Sequence, residues 1–385
     1  MHMNKKEIAE IRKQFKPENA VISQICGCYV DAEKEKKLTF RQAFLSLSEE
    51  EVFKYCDIFK RTLSGTFGKN LWNMEFPLEQ EAAGGTQEFL LRLRNSGLED
   101  EELLTEFYDK VITSYIYPEN YLILLIDATY DIPGRASDNL EMFDASDSVY
   151  HFLLCSICPV DLSKGGLCYN PVTNAIEERV RDWVVGVPVK GFLFPAMADR
   201  ETDIHSAVYF SKKPEELQEE MIEVVLGCPL PMSAAGQRET FNTLLSDTLG
   251  DTCGYDVVKN IHEELNGMLD EHDMTEDPEP LMLEKQDIRR LMEQSGAPEE
   301  SLETFEENFD AVSGEQQTLL AANIANPKKF SIQTPDVVVT VNPERADLVE
   351  TRMIDGKQCL LITVDDHIEV NGVNVRTLPL QELEG

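Results

Sequence analysis

Tyr121-Leu122-Ile123-Leu124-Leu125-Ile126-Asp127 decides how this chain is read. The apolar run is continuous and an acid closes it, which suits a buried strand better than an amphipathic helix. Three further runs of this kind follow at 149–160, at 183–194 with an interruption at Pro188, and at 204–210. The links after the second run are short, and parallel pairs need crossovers of a dozen or more residues, so the spacing predicts a mostly antiparallel sheet.

Toward the N-terminus the pattern is helical. Leu45, Leu47, Val52, Phe53, Cys56 and Phe59 follow helical spacing, and Ser48 ahead of Glu49, Glu50 and Glu51 supplies a capped start. Two more amphipathic stretches run through Phe89, Leu90 and Leu93 and through Leu103, Phe107, Val111 and Tyr115, before Pro118 closes the block. Beyond the sheet, helices are expected from Pro214 to Leu226, over 237–249 and over 255–269. The acidic stretch 270–280 reads as an exposed linker, followed by short helices over 287–294 and 298–309. After Asn326-Pro327 the sequence becomes Val-rich, with Asp355-Gly356 and Asn371-Gly372 as hairpin turns, because these pairs tolerate positive φ angles. The fold class is therefore α+β. It comprises a helical N-terminal region (1–118), a central mostly antiparallel sheet flanked by helices (119–269), an acidic linker with short helices (270–326) and a small C-terminal all-β unit (327–385).

Composition limits the function. The chain has 385 residues and carries 71 Asp and Glu against 35 Lys and Arg, a formal charge of -36. Such a surface repels nucleic-acid phosphates and favours basic proteins or metal cations as partners. The longest apolar run falls far short of the roughly 20 residues that span a membrane, and the start lacks the apolar segment of a signal peptide. Nine cysteines, an odd number lying mostly in apolar segments, read as reduced thiols, and hence as a cytoplasmic protein.

Three polar constellations are candidates for chemistry. Asp199, Arg200, Asp203 and His205 stand at a strand connection, where they would supply a general base, an anion clamp and a proton carrier. The plainer reading of the same residues is a charged hairpin loop whose carboxylates accept backbone amides. Asp127 and Asp131, with Asp138, Asp144 and Asp147 close behind, would offer oxygen ligands to a divalent cation, although no calcium-loop spacing is present and turn-capping acids are the commoner case. His151, Cys155, Cys158 and Cys168 have the donor types that zinc selects. On an extended strand, however, the separation of Cys155 and Cys158 sends them to opposite faces, and buried apolar cysteine is the alternative. Cys26-Gly27-Cys28 is a weaker pair, and Ser64 to Asn70 fails as a phosphate loop because its glycines are too closely spaced.

Arg181-Asp182-Trp183-Val184-Val185-Gly186, Gly191-Phe192-Leu193-Phe194-Pro195-Ala196 and Asp199-Arg200 through His205, with Cys155 to Val160 upstream, resemble an uncharacterised bacterial family, the domain of unknown function 4317. The resemblance implies a bacterial cytoplasmic setting and brings no activity, cofactor or catalytic residue with it. The expected function is a non-catalytic interaction or regulatory protein that binds a protein partner, a basic one by charge. The alternatives are a hydrolase-like or metal-assisted enzyme using the Asp199 to His205 cluster, with Asp127 as a further candidate member, and a zinc-binding structural protein.

Overall fold

The computed structural model describes residues 2–19, 21–135, 141–275, 277, 279–313, 318–326, 328–364 and 368–375. The chain forms two compact units, one of residues 1–237 with 277–280 and the other of 238–276 with 281–385.

The first unit is built on one eight-stranded sheet. Its strands are β1 (Ile22–Val30), β2 (Lys36–Ala43), β3 (Leu71–Glu75), β4 (Tyr121–Arg135) and β5 (Glu141–Leu162). After a separate hairpin of β6 (Leu167–Asn170) and β7 (Ala175–Glu178) come β8 (Trp183–Val185) and β9 (Lys190–Phe194), then a second hairpin of β10 (Ala196–Ala198) and β11 (Glu201–Asp203), and finally β12 (Ser206–Ser211). The sheet order is β2-β1-β4-β5-β9-β12-β3, with β8 pairing on β5, and every pairing is antiparallel.

Both faces of this sheet are covered, which is why its central strands carry no polar alternation. On β4, Leu122, Leu124 and Ile126 pack with Ile8, Ile11, Cys56 and Phe59 from α1 (Lys5–Gln14) and α2 (Glu49–Thr62). Tyr121, Ile123 and Leu125 point the other way, to Phe89, Leu93, Phe107 and Val111. Those residues belong to α4 (Thr86–Asn95) and α5 (Glu101–Ser114), which follow the short α3 (Leu78–Glu81). The period-two geometry of a strand thus divides one apolar run between two cores. Ser48 caps α2 as expected, in a reciprocal box with Glu51.

The structure departs from expectation in three places. The N-terminal region contributes β1, β2 and β3 to the sheet besides its helices. The helix expected from Pro214 begins only at α6 (Glu219–Met221) and continues as a π-helical turn over Ile222–Leu226. The carbonyls upstream of it are already engaged, that of Glu216 by the Lys190 ammonium and Ser211 Oγ, and that of Leu217 by the Tyr209 hydroxyl at 2.5 Å. Gln218 then sits in the left-handed region at φ 61°, so 214–217 cannot propagate a helix. Finally, the start of the acidic stretch is helical, because α7 (Ala234–Leu249) is followed by α8 (Tyr255–Met274).

The second unit packs Phe241, Leu245, Ile261, Leu265, Leu291, Met292, Phe305 and Leu319 in its interior. It contains most of α7, all of α8, and α9 (Lys285–Gln294), α10 (Glu299–Leu302), α11 (Phe305–Ser313) and α12 (Ala321–Ile324). Its strands form hairpin pairs: β13 (Met282–Glu284) with β14 (Thr318–Leu320), β15 (Phe330–Gln333) with β16 (Val338–Val341), β17 (Val349–Ile354) with β18 (Lys357–Ile362), and β19 (Ile368–Val370) with β20 (Val373–Val375). Asp355-Gly356 and Asn371-Gly372 are two-residue turns with φ positive at all four positions, as their chemistry requires.

Candidate functional site

A β-bulge builds the densest polar cluster on the sheet. Ile22 pairs with Ala128 and Gln24 with Asp127, which leaves Ser23 as the extra residue. The bulge turns its hydroxyl onto the neighbouring strand, where Ser23 Oγ donates to Asp127 Oδ2 at 2.5 Å and also lies 3.0 Å from the Asp127 carbonyl. The other carboxylate oxygen accepts from His151 Nε2 at 2.5 Å. Asp127 pairs directly with Leu153, so His151 reaches it along the strand diagonal. Arg94 on α4 lies within electrostatic range. Burial lowers its pKa from the ordinary guanidinium value, and the charges of Tyr150 and Asp127 oppose that shift.

This order of groups determines what the cluster can do. Asp127 stands between serine and histidine, so His151 does not touch the Ser23 hydroxyl and cannot activate it as a nucleophile. The carboxylate instead orients the imidazole and leaves His151 Nδ1 without a protein partner among the described residues. The His151 side chain is 34% exposed while Asp127 is only 8% exposed. Sequence reading named Asp127 and His151 separately as metal ligands and missed Ser23, whose position depends on pairing register.

The Asp199 to His205 segment is a tight hairpin. Asp199 and Arg200 are its two turn residues, at φ 50° and 62°, between Ala198 and the paired Glu201. Arg200 is held against α1: its Nη1 donates to Glu10 Oε2 at 3.0 Å, its Nη2 to the Pro133 carbonyl at 2.9 Å, and its backbone N–H to Glu7 Oε1 at 3.0 Å. Burial raises the Glu7 pKa from its ordinary value. Asp203 accepts the His205 N–H at 3.0 Å and the Ser206 hydroxyl, while His205 Nδ1 bonds Glu81 Oε1 at 2.8 Å, a bond that raises the histidine pKa. Arg200, Asp203 and His205 thus share one connection but engage three separate sets of partners.

The donors expected for zinc do not meet. His151 Nε2 is committed to Asp127; Cys155 and Cys158 are fully buried; Cys168 is exposed on β6. Burial pushes the Cys158 thiol up to about 12 and raises Cys155 as well, opposite to what a thiolate ligand needs. Among the acids, Asp131 is exposed and paired opposite Val149, Asp138 lies outside the described residues, and Asp144 and Asp147 lie in β5. Among the described residues, one group of three ligand atoms converges, from Asp31, Glu33 and Glu35. The Lys37 ammonium already binds two of its members, Asp31 at 2.9 Å and Glu35.

Exposure divides the nine free thiols in a testable way. A disulfide reagent applied to native protein near neutral pH is expected to modify exposed Cys168 and Cys253 first and half-buried Cys359 more slowly. The six buried thiols should react only after denaturation. Rapid native modification of Cys155 or Cys158, located by peptide mass mapping, would contradict this order.

The most exposed apolar surface of the first unit lies on the arm formed by β6, β7 and β8. Tyr169 pairs directly across from Ile176, and strand alternation places Leu167 on that same face. Leu167 is 78%, Tyr169 58%, Ile176 65% and Trp183 58% exposed. Arg181 Nε donates to the Ser163 carbonyl at 2.8 Å, and the Asp182 N–H donates to Ser163 Oγ at 3.0 Å, tying down the base of the arm.

These features define an α+β protein whose antiparallel sheet is covered by helices on both faces, with a bulge-built Ser–Asp–His cluster and an uncovered apolar arm. The chain belongs to the family described as a domain of unknown function, DUF4317, whose model matches residues 3–373. No curated protein and no solved structure matches it.

Proposed function

We propose that the chain is a non-catalytic interaction protein that docks a basic protein partner on the β6–β8 arm. The observation that carries this reading is the concentration of Leu167, Tyr169, Ile176 and Trp183, all more than half exposed, within one short stretch of chain. Two-stranded hairpins are marginal by themselves, and exposed apolar clusters of this kind commonly mark interaction surfaces. The charge of -36 supplies the preference for a basic partner, because it steers cations toward the molecule and away from phosphates. A bacterial cytoplasmic setting goes with the family resemblance and the nine free thiols. Among the described residues, no helix is long and apolar enough to cross a membrane. The internal pairing of Arg200, Asp203 and His205 also supports a structural use of the segment on which a hydrolase-like alternative would depend.

The test compares the tagged chain with a Leu167→Ser/Ile176→Ser/Trp183→Ser variant in a native lysate, followed by binding of the identified protein in purified form. Exposed positions of this kind typically change stability by about 0.5 kcal/mol or less each. The expected result is one stoichiometric protein of net positive charge whose affinity falls at least about tenfold, roughly 1.4 kcal/mol, in the variant. Equal recovery by both forms, or recovery of no protein by either, would remove the arm from this role.

A further inference from the structure

The second unit contains a cleft of about 530 Å³, within the range of small-molecule sites. Tyr255, His262 and Phe330 form an aromatic wall, in which Phe330 meets Tyr255 edge to face at 6.2 Å and His262 at 6.3 Å. His262 has no hydrogen-bond or ion-pair partner among the described residues, and burial lowers its pKa, favouring the neutral ring. Asn266, one helical turn further along α8, also lines the cleft, and its Oδ1 is buried with no hydrogen-bond partner among the described residues. That orphan acceptor lacks a donor.

The charge of the lining is the reverse of the chain's. Among the described residues sixteen line the cleft and none is Asp or Glu, although a wall of average composition for this chain would carry about three acids. It carries Arg238 and Lys329 instead. Arg238 Nε donates to the Asn323 carbonyl at 3.2 Å, and its two terminal nitrogens have no partner among the described residues, nor does Lys329 Nζ. The N-terminus of α8 opens on the same cleft at Gly254 and Tyr255 with no side-chain cap. Its positive end adds to the two cations. A larger groove of about 700 Å³ in the same unit shows the contrast, since its cations are matched by acids, Lys285 to Asp310 at 2.8 Å and Arg289 to Glu306 at 3.4 Å.

We infer that this cleft binds a small heteroaromatic anion, with its flat ring against Phe330 and His262, a ring N–H or amino group donating to Asn266 Oδ1, and its phosphate or carboxylate between Arg238 and Lys329. The site makes the chain a small-anion-binding protein and stands independently of docking on the arm.

Ligand-observed NMR and calorimetry on the full chain test it with four probes. Adenosine monophosphate and indole-3-acetate carry the ring, the donor and the anion, while adenosine and indole-3-acetamide lack the charge. The expected result is binding of at least one anion at about 1 mM or tighter and at least about tenfold weaker binding of its neutral counterpart. Which anion binds separates phosphate from carboxylate recognition. Lys329→Gln, at an exposed position, is expected to weaken the bound anion about tenfold, and Phe330→Ala to weaken anion and neutral probe together. The inference is overturned if neither anion binds, if neutral probes bind equally well, or if a folded Lys329→Gln protein binds with unchanged affinity.

Discussion

Raising the pH from about 8.5 to about 10.5 is expected to destabilise the sheet-bearing unit by at least about 4 kcal/mol, a large share of the roughly 5–15 kcal/mol that holds a domain folded. The cause is the set of thiols enclosed by the two cores. Cys155 and Cys158 are fully buried, and burial raises the first and pushes the second up to about 12. An acid whose folded pKa lies above its unfolded value contributes stability that is complete below the unfolded pKa, near 9 for a thiol, and is lost as pH rises toward the folded value. Each deeply buried thiol then loses up to about 1.4 kcal/mol per pH unit, so Cys155 and Cys158 together lose about 4 kcal/mol over the stated interval.

Lys190 opposes this trend. Burial lowers its ammonium to about 8, so it gains stability between about 8 and its unfolded value near 10.5. This one buried amine returns at most about 2 kcal/mol. Cys26 and Cys228, each pushed up to about 12, and the raised Tyr150 and Tyr209 act in the same direction as the two deepest thiols. Urea titrations under reducing conditions, followed by the emission of buried Trp72, would measure the slope. Cys158→Ala should reduce it by about 1 kcal/mol per pH unit on average over this interval. A flat profile from 8.5 to 10.5 would mean that these thiols are solvated in the folded protein.

The same double burial explains what was legible in the sequence. Because both faces of β4 and β5 are covered, their runs are predominantly apolar, with no regular polar alternation, and read directly as strands. β1 was hidden by Ser23, Gln24 and Gly27, which blur both periodicities, and β2 by its position at the sheet edge, where seven of its eight residues are exposed. Hairpin turns such as Asp355-Gly356 were readable because their chemistry is local. The Ser23–Asp127–His151 cluster was not, since its members lie on three strands and meet through a bulge in the register. The cleft beside α8 was equally hidden: Arg238, His262 and Phe330 are distant in sequence, and only the folded chain shows that the wall they share lacks acids among the described residues.

Gly191→Ala is expected to be the most damaging single methyl addition in the sheet. Gly191 lies in β9 between Ser156 of β5 and Phe210 of β12. A β-carbon there would stand 2.3 Å from the Cys155 carbonyl oxygen and 2.6 Å from Thr62 Cγ2. Neither obstacle can yield easily. The carbonyl belongs to a central strand, and the Thr62 hydroxyl is fixed by a buried 2.6 Å bond to Ser156 Oγ. Overpacking usually costs about 1–3 kcal/mol when side chains can adjust, so collision with backbone should place this variant at or above 3 kcal/mol. Gly27 is a milder case, since a β-carbon there would meet the ring of Phe40 on edge strand β2, which can move aside. Gly267 gives the opposite sign: it lies within α8 with nothing within 4 Å of the added carbon, so Gly267→Ala should stabilise by about 0.5–1 kcal/mol through helix propensity. Denaturant midpoints of the three variants should therefore fall in the order Gly267→Ala, Gly27→Ala, Gly191→Ala from most to least stable. A Gly191→Ala protein within 1 kcal/mol of the parent would show that β5 and β9 can separate enough to admit a methyl group, and that the packing of α2 against this part of the sheet is looser than the Thr62–Ser156 bond implies.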